Sequence, residues 1–198
     1  MYLERGESWD GVRPGGHEPF PIRLPKLGEL GEDECYVPAG WFIAGGDPMA
    51  VDSLPRQKVW VDAFVIDRFP VTAAAYLDFF KAQGNKNQIT PVADSAGLNK
   101  LIVENEDKTF SLGFDQNRTQ WVGDWPIVGV TWSAASKYAT WNGKRLPHEL
   151  EWSKAARGVD GRHLPWGDFL ESTWCSVMDK KKVKPTPTIK KDMKIKKK

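Results

Sequence analysis

The sequence has few of the side chains that most often carry metal, redox or disulfide chemistry. Among its 198 residues are two cysteines, Cys35 and Cys175, and three histidines, His17, His148 and His163. The cysteines lie 140 positions apart, so their spacing predicts neither a metal site nor a disulfide framework, and it leaves open whether they pair. The histidines show no H-x3-H or H-x-H spacing, which argues against a histidine metal site.

Long apolar runs and several functional motifs are also absent. No run of about 18 apolar residues occurs, so no membrane span is expected. Residues 1–16 lack the apolar core of a secretory signal, and a cytoplasmic location is the expectation. The pairs Gly15-Gly16 and Gly45-Gly46 are predicted turns, because no strand–loop–helix phosphate cradle surrounds them. No G-x-S-x-G elbow supports serine-hydrolase chemistry, and no kinase motif is present.

Charge is unevenly distributed, although the formal net charge is +2. Residues 180–198 hold ten lysines and one aspartate, whereas the preceding part of the chain holds 18 Lys and Arg against 25 Asp and Glu. Because like charges repel, residues 180–198 are predicted to be a disordered Lys-rich tail. Weak binding to anionic surfaces, without specificity for a nucleic acid, is one interpretation of this tail. A solvated end or an interrupted reading frame is the other.

Strand patterns dominate the first third of the chain. Residues 1–34, rich in Gly, Pro and charge, are predicted to be an extended lead-in or the end of a preceding unit. Residues 35–47 predict two short strands joined by a Pro-Ala-Gly turn. Residues 58–69 are apolar on both faces, which predicts a strand at the centre of a sheet. Residues 85–124 are a polar, insertion-like region with a candidate hairpin, and residues 125–130 predict a further strand.

Capping signals predict helices after the strands. Thr72 and Thr131 are predicted N-caps, Gly84 a left-handed C-terminal residue and Gly143 a helix stop. A third helix lies within the sequence GKRLPHELEWSKAARG, which ends at Gly158. Its charges complement the helix dipole, with His148 at the cap, Glu149 and Glu151 at the positive end, and Lys154 and Arg157 at the negative end. The side predicted to be buried consists of Leu150, Trp152, Ala155 and Ala156.

The carboxylates of this third helix are predicted to be structural. Arg145 is expected to form a partly buried ion pair with Glu149 or Glu151, which orders the turn around Pro147. Glu149 and Glu151 stand two positions apart and therefore point to different sides of a helix, so they do not form a catalytic acid–base pair.

The segment from Trp125 to Asp168 resembles the central signature of the formylglycine-generating enzyme (sulfatase-modifying factor) family. That signature combines a P-V-x-x-V-S/T-W entry, an amphipathic helix, G-K-R-L-P-T-E-A-E-W-E, A-A-R-G and P-W-G. The resemblance covers residues 35–179, which we interpret as a partial domain between the lead-in and the tail. The motif positions singled out as structural are Trp132, Gly143, Arg145, Pro147, Glu149, Glu151, Trp152, Arg157, Gly158, Pro165, Trp166 and Gly167.

The resemblance implies an α+β, C-type-lectin-like fold with two to three helices, short twisted antiparallel strands and long loops, with its C-terminal part missing here. In such a fold large flat side chains fill the space between irregular loops. Trp132, Trp141, Trp152 and Trp166 are therefore expected in the core.

The resemblance also implies where the family's chemistry lies. Catalytic members oxidise a substrate cysteine to formylglycine with molecular oxygen, using a late cysteine pair that binds copper(I). A G-N-x-W-E-W segment associated with calcium and an R-G-G-S-W strand lie in the same late part. None of these motifs occurs here, and neither Cys35 nor Cys175 occupies the position of a catalytic cysteine. No catalytic residue, cofactor or metal ligand is therefore predicted. Iron-dependent family branches use histidines, mostly in a separate helical domain.

Two functions remain open at this point. The first is a truncated, catalytically incomplete domain of the formylglycine-generating type. The second is a non-catalytic, C-type-lectin-like recognition module that binds a polypeptide partner. The sequences of residues 60–72 and of the GESWDGVRPGG lead-in resemble those of bacterial proteins in which such a domain follows a serine/threonine kinase.

If the missing C-terminal part of the domain supplies strands to the sheet, residues 58–69 and 125–130 lack their strand partners here. Their apolar edges would then be exposed. Exposed strand edges favour self-association, so we expect the purified chain to be marginally stable and to associate unless a partner covers these edges. Size-exclusion chromatography with thermal unfolding measures this. A compact monomer that unfolds cooperatively would contradict the expectation.

Overall fold

The computed structural model describes residues 2–3, 11–48, 50, 52–84, 86, 88–91, 100–114, 118–169 and 173–174. The strands are β1 (Tyr2–Leu3), β2 (Ile22–Arg23), β3 (Glu34–Val37), β4 (Gly40–Ala44), β5 (Gln57–Val61), β6 (Phe64–Asp67), β7 (Lys100–Glu104) and β8 (Phe110–Phe114). The helices are α1 (Ala73–Ala82), α2 (Trp132–Trp141) and α3 (Glu149–Arg157). Short antiparallel strands and three helices confirm the predicted α+β class. Cys175 and the lysine-rich residues 180–198 lie outside the described residues.

One interrupted antiparallel ribbon organises the first part of the chain. β3 pairs with β6, and β4 pairs with β5, in a single continuous register: Glu34 lies opposite Asp67, and Ala44 lies opposite Gln57. Residues 34–44 therefore run antiparallel to residues 57–67, with an interruption at residues 38–39 and 62–63. We call this unit the long ribbon.

The long ribbon corrects two expectations from the sequence. The strands around the Pro-Ala-Gly segment are present, but they continue along the ribbon and do not pair with each other. Residues 58–69 form parts of two strands, not one central strand, and Val65 is 47% exposed. Each of these strands has a single partner among the described residues, so apolar residues on both faces do not here indicate a central position in a sheet.

Lys154 of α3 fills the interruption of the long ribbon. Its side chain is only 4% exposed, and its ammonium donates to the carbonyl oxygens of Pro38 at 2.7 Å, Gly40 at 3.0 Å and Val61 at 3.3 Å. A carbonyl left without a donor in the interior is costly, and an ammonium offers three donors. The lysine therefore fastens α3 to both strands of the ribbon.

This contact changes which residues of α3 are buried. Glu151 and Lys154 are buried, whereas Trp152 and Ala155 are exposed. Leu150 does face inward and packs against the ribbon cluster that contains Phe42. The prediction was wrong for Trp152 and Ala155 because the ribbon presents backbone carbonyls to α3, and the charged side chains of Lys154 and Arg157 donate to them.

A second core forms between α1, α2 and the hairpin of β7 and β8. Its buried residues are Tyr76, Phe79, Phe80, Ile89 and Ala134. The β7–β8 pairing confirms the hairpin predicted within residues 85–124. By contrast, residues 125–130 form no strand and contribute one isolated bridge, between Pro126 and Thr72.

The predicted N-caps of α1 and α2 are confirmed. The hydroxyl oxygen of Thr72 accepts from the Ala75 amide, and that of Thr131 from the Ala134 amide, each at 3.2 Å. The left-handed role predicted for Gly84 is wrong, because α1 ends at Ala82 and Gly84 does not have a positive φ.

Three of the four tryptophans expected in the core are exposed. The exposed fractions are 76% for Trp132, 59% for Trp152 and 47% for Trp141, whereas Trp166 is half-buried. On α2 the inward face is occupied by small residues and by Tyr138, whose ring stacks on that of Tyr76. Within the described residues these tryptophans therefore lie on the surface.

The lead-in packs on the long ribbon. The indole nitrogen of Trp41 donates to the Val12 carbonyl at 2.7 Å. The rings of Phe20, Trp60 and Trp41 follow one another in edge-to-face contacts. Aromatic pairs of this geometry stabilise beyond their buried area. Residues 12–20 thus contribute to the face of the ribbon formed by β4 and β5.

None of the helices in the described part of the chain is long and apolar enough to cross a membrane.

Replacing Lys154 by methionine should lower the free energy of unfolding by about 2–4 kcal/mol, because it leaves buried carbonyls without a donor. Lys81→Met on the exposed side of α1 is the matched control and should change it by less than about 0.5 kcal/mol. Urea unfolding measures both variants. Equal effects would show that Lys154 does not fasten the ribbon.

Candidate functional site

A cleft of about 680 Å³ lies between β6, α1, α2 and residues 143–147. One wall consists of residues 63–67, and the opposite wall includes Ala135, Tyr138 and Ala139 of α2. We call it the β6 cleft. Its size lies in the range of small-molecule and peptide sites, and its walls are mainly apolar.

The turn after α2 places two cations at the rim of the β6 cleft. Gly143 ends α2 with a φ of 69°, a conformation that favours glycine. The Lys144 amide then donates to the Ala139 carbonyl at 2.8 Å. The predicted stop at Gly143 is confirmed, and it directs Lys144 and Arg145 toward the ribbon and α3 respectively.

Lys144 joins α2 to both strands of the ribbon. Its ammonium lies 2.5 Å from Asp67 of β6 and 2.8 Å from Glu34 of β3. The hydrogen bonds to Asp67 and Glu34 raise the pKa of Lys144, and the hydrogen bond from Lys144 lowers the pKa of Glu34. One ammonium thus faces two carboxylates.

Arg145 forms the predicted ion pair, and its partner is Glu151. Its Nη1 donates to Oε2 of Glu151 at 2.7 Å, and its Nη2 donates to Oε1 at 2.6 Å. Glu151 also accepts from the His148 amide at 2.8 Å, which caps α3. The hydrogen bond from Arg145 lowers the pKa of Glu151 to about 2. Glu149 is exposed whereas Glu151 is buried, so the two glutamates lie in different environments and do not act as a pair.

Two tyrosines of the cleft are held in a form that does not ionise near neutral pH. Burial raises the pKa of Tyr76 to about 12, and its hydroxyl donates to the Ile89 carbonyl at 2.6 Å. Burial also raises the pKa of Tyr138. These groups shape the cleft and supply no nucleophile at neutral pH.

The remaining motif residues close the turn after α3. Arg157 donates to the carbonyls of Gly45 at 3.2 Å and Arg162 at 2.6 Å, while Gly158 ends the helix with a φ of 75°. Leu164 and Gly167 exchange backbone hydrogen bonds at 2.9 and 3.0 Å, so that Pro165 and Trp166 form the tip of a two-residue turn. The Trp166 indole donates to the Phe169 carbonyl at 2.9 Å. These contacts hold the backbone in place.

No metal-binding constellation is found in the described ranges, since no three or more of their His, Cys, Asp and Glu side chains are grouped to hold an ion. Cys35 is exposed on β3. The pairing of Cys35 with Cys175 concerns a residue outside the described ranges.

Sequence reasoning missed the partners of Lys144 and the burial of Lys154. Lys144 stands in the GKRLP motif, but Glu34 and Asp67 lie far from it in the chain and have no motif of their own. Lys154 stands four positions before the glycine that ends α3. A lysine at this position is typical of a surface residue that compensates the helix dipole. Only the position of the ribbon interruption shows that it is buried.

Comparison with known proteins places these residues in a family. The family described as "Sulfatase-modifying factor enzyme 1-like domain" matches residues 24–194. The chain is 33% identical over 179 residues to the uncharacterized protein YfmG of Bacillus subtilis, covering 82% of this chain and 34% of that protein. It is 32% identical over 178 residues to the formylglycine-generating enzyme of Streptomyces coelicolor, covering 77% and 55%.

A third relative is named as a protein kinase. The chain is 31% identical over 147 residues to the serine/threonine-protein kinase Pkn1 of Chlamydia trachomatis, covering 70% of this chain and 22% of that protein. The chain thus spans between about a fifth and just over half of the length of these three relatives.

The Arg145–Glu151 pair should make stability depend on pH in the acid range. The pKa of Glu151 is lowered from 4.5 to about 2, so the pair stabilises the fold above pH 4.5 and this contribution is lost as the pH falls toward 2. Arg145→Gln should cost about 1–2 kcal/mol at pH 7, with the difference from the parent shrinking below pH 4.5.

Arg23→Gln, which breaks the more exposed pair with Glu29, is the matched control and should cost less than about 0.5 kcal/mol. Urea unfolding between pH 7 and pH 3 measures both variants. A pH-independent difference for Arg145→Gln would contradict the assignment.

Proposed function

This chain belongs to the sulfatase-modifying factor enzyme 1-like domain family, and on that premise we propose that residues 35–179 are the scaffold portion of a formylglycine-generating-type domain. In this proposal these residues do not themselves oxidise cysteine. This proposal is supported by the structural contacts of the motif side chains. Arg145, Glu151 and Arg157 are engaged in ion pairs and backbone contacts that hold turns and helices.

The side chains present do not fit the copper(I) site that the family resemblance implies. Such a site needs two thiolates close together. In the described part of the chain Cys35 is the single thiol, and it lies exposed on the long ribbon. The calcium-associated segment is likewise absent from the sequence. We therefore derive no step of cysteine oxidation for this chain.

A second candidate function, recognition of a polypeptide, is favoured by the β6 cleft. Its mainly apolar walls and its charged rim of Glu34, Asp67 and Lys144 suit an apolar peptide segment that carries a charged residue. This role is compatible with the scaffold role, because one fold hosts several functions.

The absence of oxidase chemistry is tested with the full chain, copper(I), oxygen and a cysteine-containing peptide. We expect oxygen uptake and aldehyde formation equal to those of a blank without protein, and Cys35→Ser should behave like the parent. The formylglycine-generating enzyme of Streptomyces coelicolor serves as the positive control. Aldehyde formed above the blank by the parent chain would refute the scaffold proposal.

A further inference from the structure

The ammonium of Lys86 lies against the C-terminal end of α1. This helix ends at Ala82, and the last carbonyls of a helix have no hydrogen-bond partner within it. The Lys86 ammonium donates to the carbonyl oxygen of Lys81 at 3.1 Å, and it also donates to the carbonyl oxygens of Phe80 and Gln83. The helix dipole favours a cation at this end. Three N–H donors thus meet three carbonyl acceptors.

Two aromatic rings contact the same ammonium. Its nitrogen lies 5.0 Å from the centre of the Phe80 ring and 5.3 Å from the centre of the Phe110 ring. The two rings belong to α1 and β8, and they meet edge to face with 5.1 Å between their centres. The faces of aromatic rings attract cations within about 6 Å. We call the three carbonyls and the two rings the ammonium site.

Occupation of the ammonium site holds the backbone of Lys86 in place. The amides of Ile89 and Thr90 donate to the Lys86 carbonyl at 3.1 and 3.0 Å, and the Thr90 hydroxyl donates to it at 2.7 Å. Ile89 is buried in the core cluster of α1 and α2, and its carbonyl accepts from the Tyr76 hydroxyl at 2.6 Å. The side chain of Lys86 thus fastens one end of the turn that brings Ile89 into the core.

The two kinds of contact in the ammonium site select different cations. Aromatic faces attract any cation, including a quaternary ammonium. Carbonyl oxygens at hydrogen-bond distance require N–H donors, which a quaternary ammonium lacks and a primary ammonium has three of. Because the site combines both kinds of contact, it matches a primary ammonium.

We propose that the ammonium site is selective for a primary alkylammonium group and that Lys86 occupies it as an internal ligand, which fixes Ile89 in the core. The carbonyls and rings of the site come from α1, Gln83 and β8. Neither Lys86 nor the two rings line the β6 cleft. The proposal is therefore independent of both the scaffold role and the recognition role.

The test replaces the internal ligand by a free one. Lys86→Ala empties the site, and n-propylammonium supplies the carbon atoms and the nitrogen that this substitution removes. We expect the variant of the full chain to unfold about 4–8 °C below the parent, because carbonyls at the end of α1 lose their donors. n-Propylammonium chloride, exchanged for sodium chloride at constant ionic strength, should restore at least about half of this loss in a saturable manner and leave the parent unchanged.

Matched controls separate the carbonyls, the rings and general salt effects. Propyltrimethylammonium keeps the charge and the stem but has no N–H, so the same restoration should need at least about tenfold more of it. Lys81→Ala removes a cation from the same last turn of α1, and n-propylammonium should not change its midpoint. In Lys86→Ala/Phe110→Leu, n-propylammonium should bind about two- to fivefold more weakly than in Lys86→Ala, because one ring face is lost.

Hydrogen exchange of the Ile89 and Thr90 amides gives a local measurement beside the unfolding midpoint. Exchange should be faster in Lys86→Ala and slow again when n-propylammonium is added. Equal restoration by the two ammonium ions, stabilisation of Lys81→Ala by n-propylammonium, or a destabilised Lys86→Ala that does not respond to it would overturn the ammonium site. An unchanged midpoint in Lys86→Ala would do the same. If this variant is not obtained folded, its refolding yield with each ammonium ion makes the same comparison.

Discussion

The contact between Lys154 and the interrupted ribbon is the constraint on which the rest of the structure depends. Residues 38–39 and 62–63 interrupt both strands at the same level, and backbone carbonyls at and beside this interruption accept hydrogen bonds from outside the ribbon. The ammonium of Lys154 supplies them from α3. Arg157 adds a contact to the carbonyl of Gly45 one turn further along the helix. α3 is therefore positioned by backbone carbonyls of the ribbon as much as by its apolar contact through Leu150.

The β6 cleft follows from the same arrangement. Once α3 is docked, Arg145 and Glu151 fix the turn that precedes it, and Lys144 in that turn reaches back to both strands of the ribbon. The space between the ribbon and α2 is thus bounded by charged contacts at its rim and by apolar side chains along its length. The motif residues Lys144, Arg145 and Glu151 thus contribute to the architecture of the cleft.

Local signals in the sequence predicted local structure well. The caps at Thr72 and Thr131, the stop at Gly143 and the pairing of Arg145 depend on residues within six positions of one another, and the structure confirms them. The errors concern long-range packing. The pattern of residues 58–69 cannot reveal that the strand is interrupted and that each part has one partner among the described residues. For the same reason hydrophobicity placed Trp152 inside and Lys154 outside, since the decisive acceptors belong to residues about one hundred positions earlier in the chain.

The continuous register of the long ribbon has a consequence for how relatives of this chain can differ in length. Adding one residue to either strand would turn every side chain beyond it to the opposite face and would move the carbonyls away from the Lys154 ammonium. The connection between the two strands is held at its ends, where the Gly45 carbonyl accepts from Arg157 and the Gly46 amide donates to the Leu54 carbonyl. Between these ends the connection is less restricted, because loops of this kind absorb insertions. Length variation among ribbons of this type should therefore concentrate in that connection, while the spacing between each strand and its interruption stays constant.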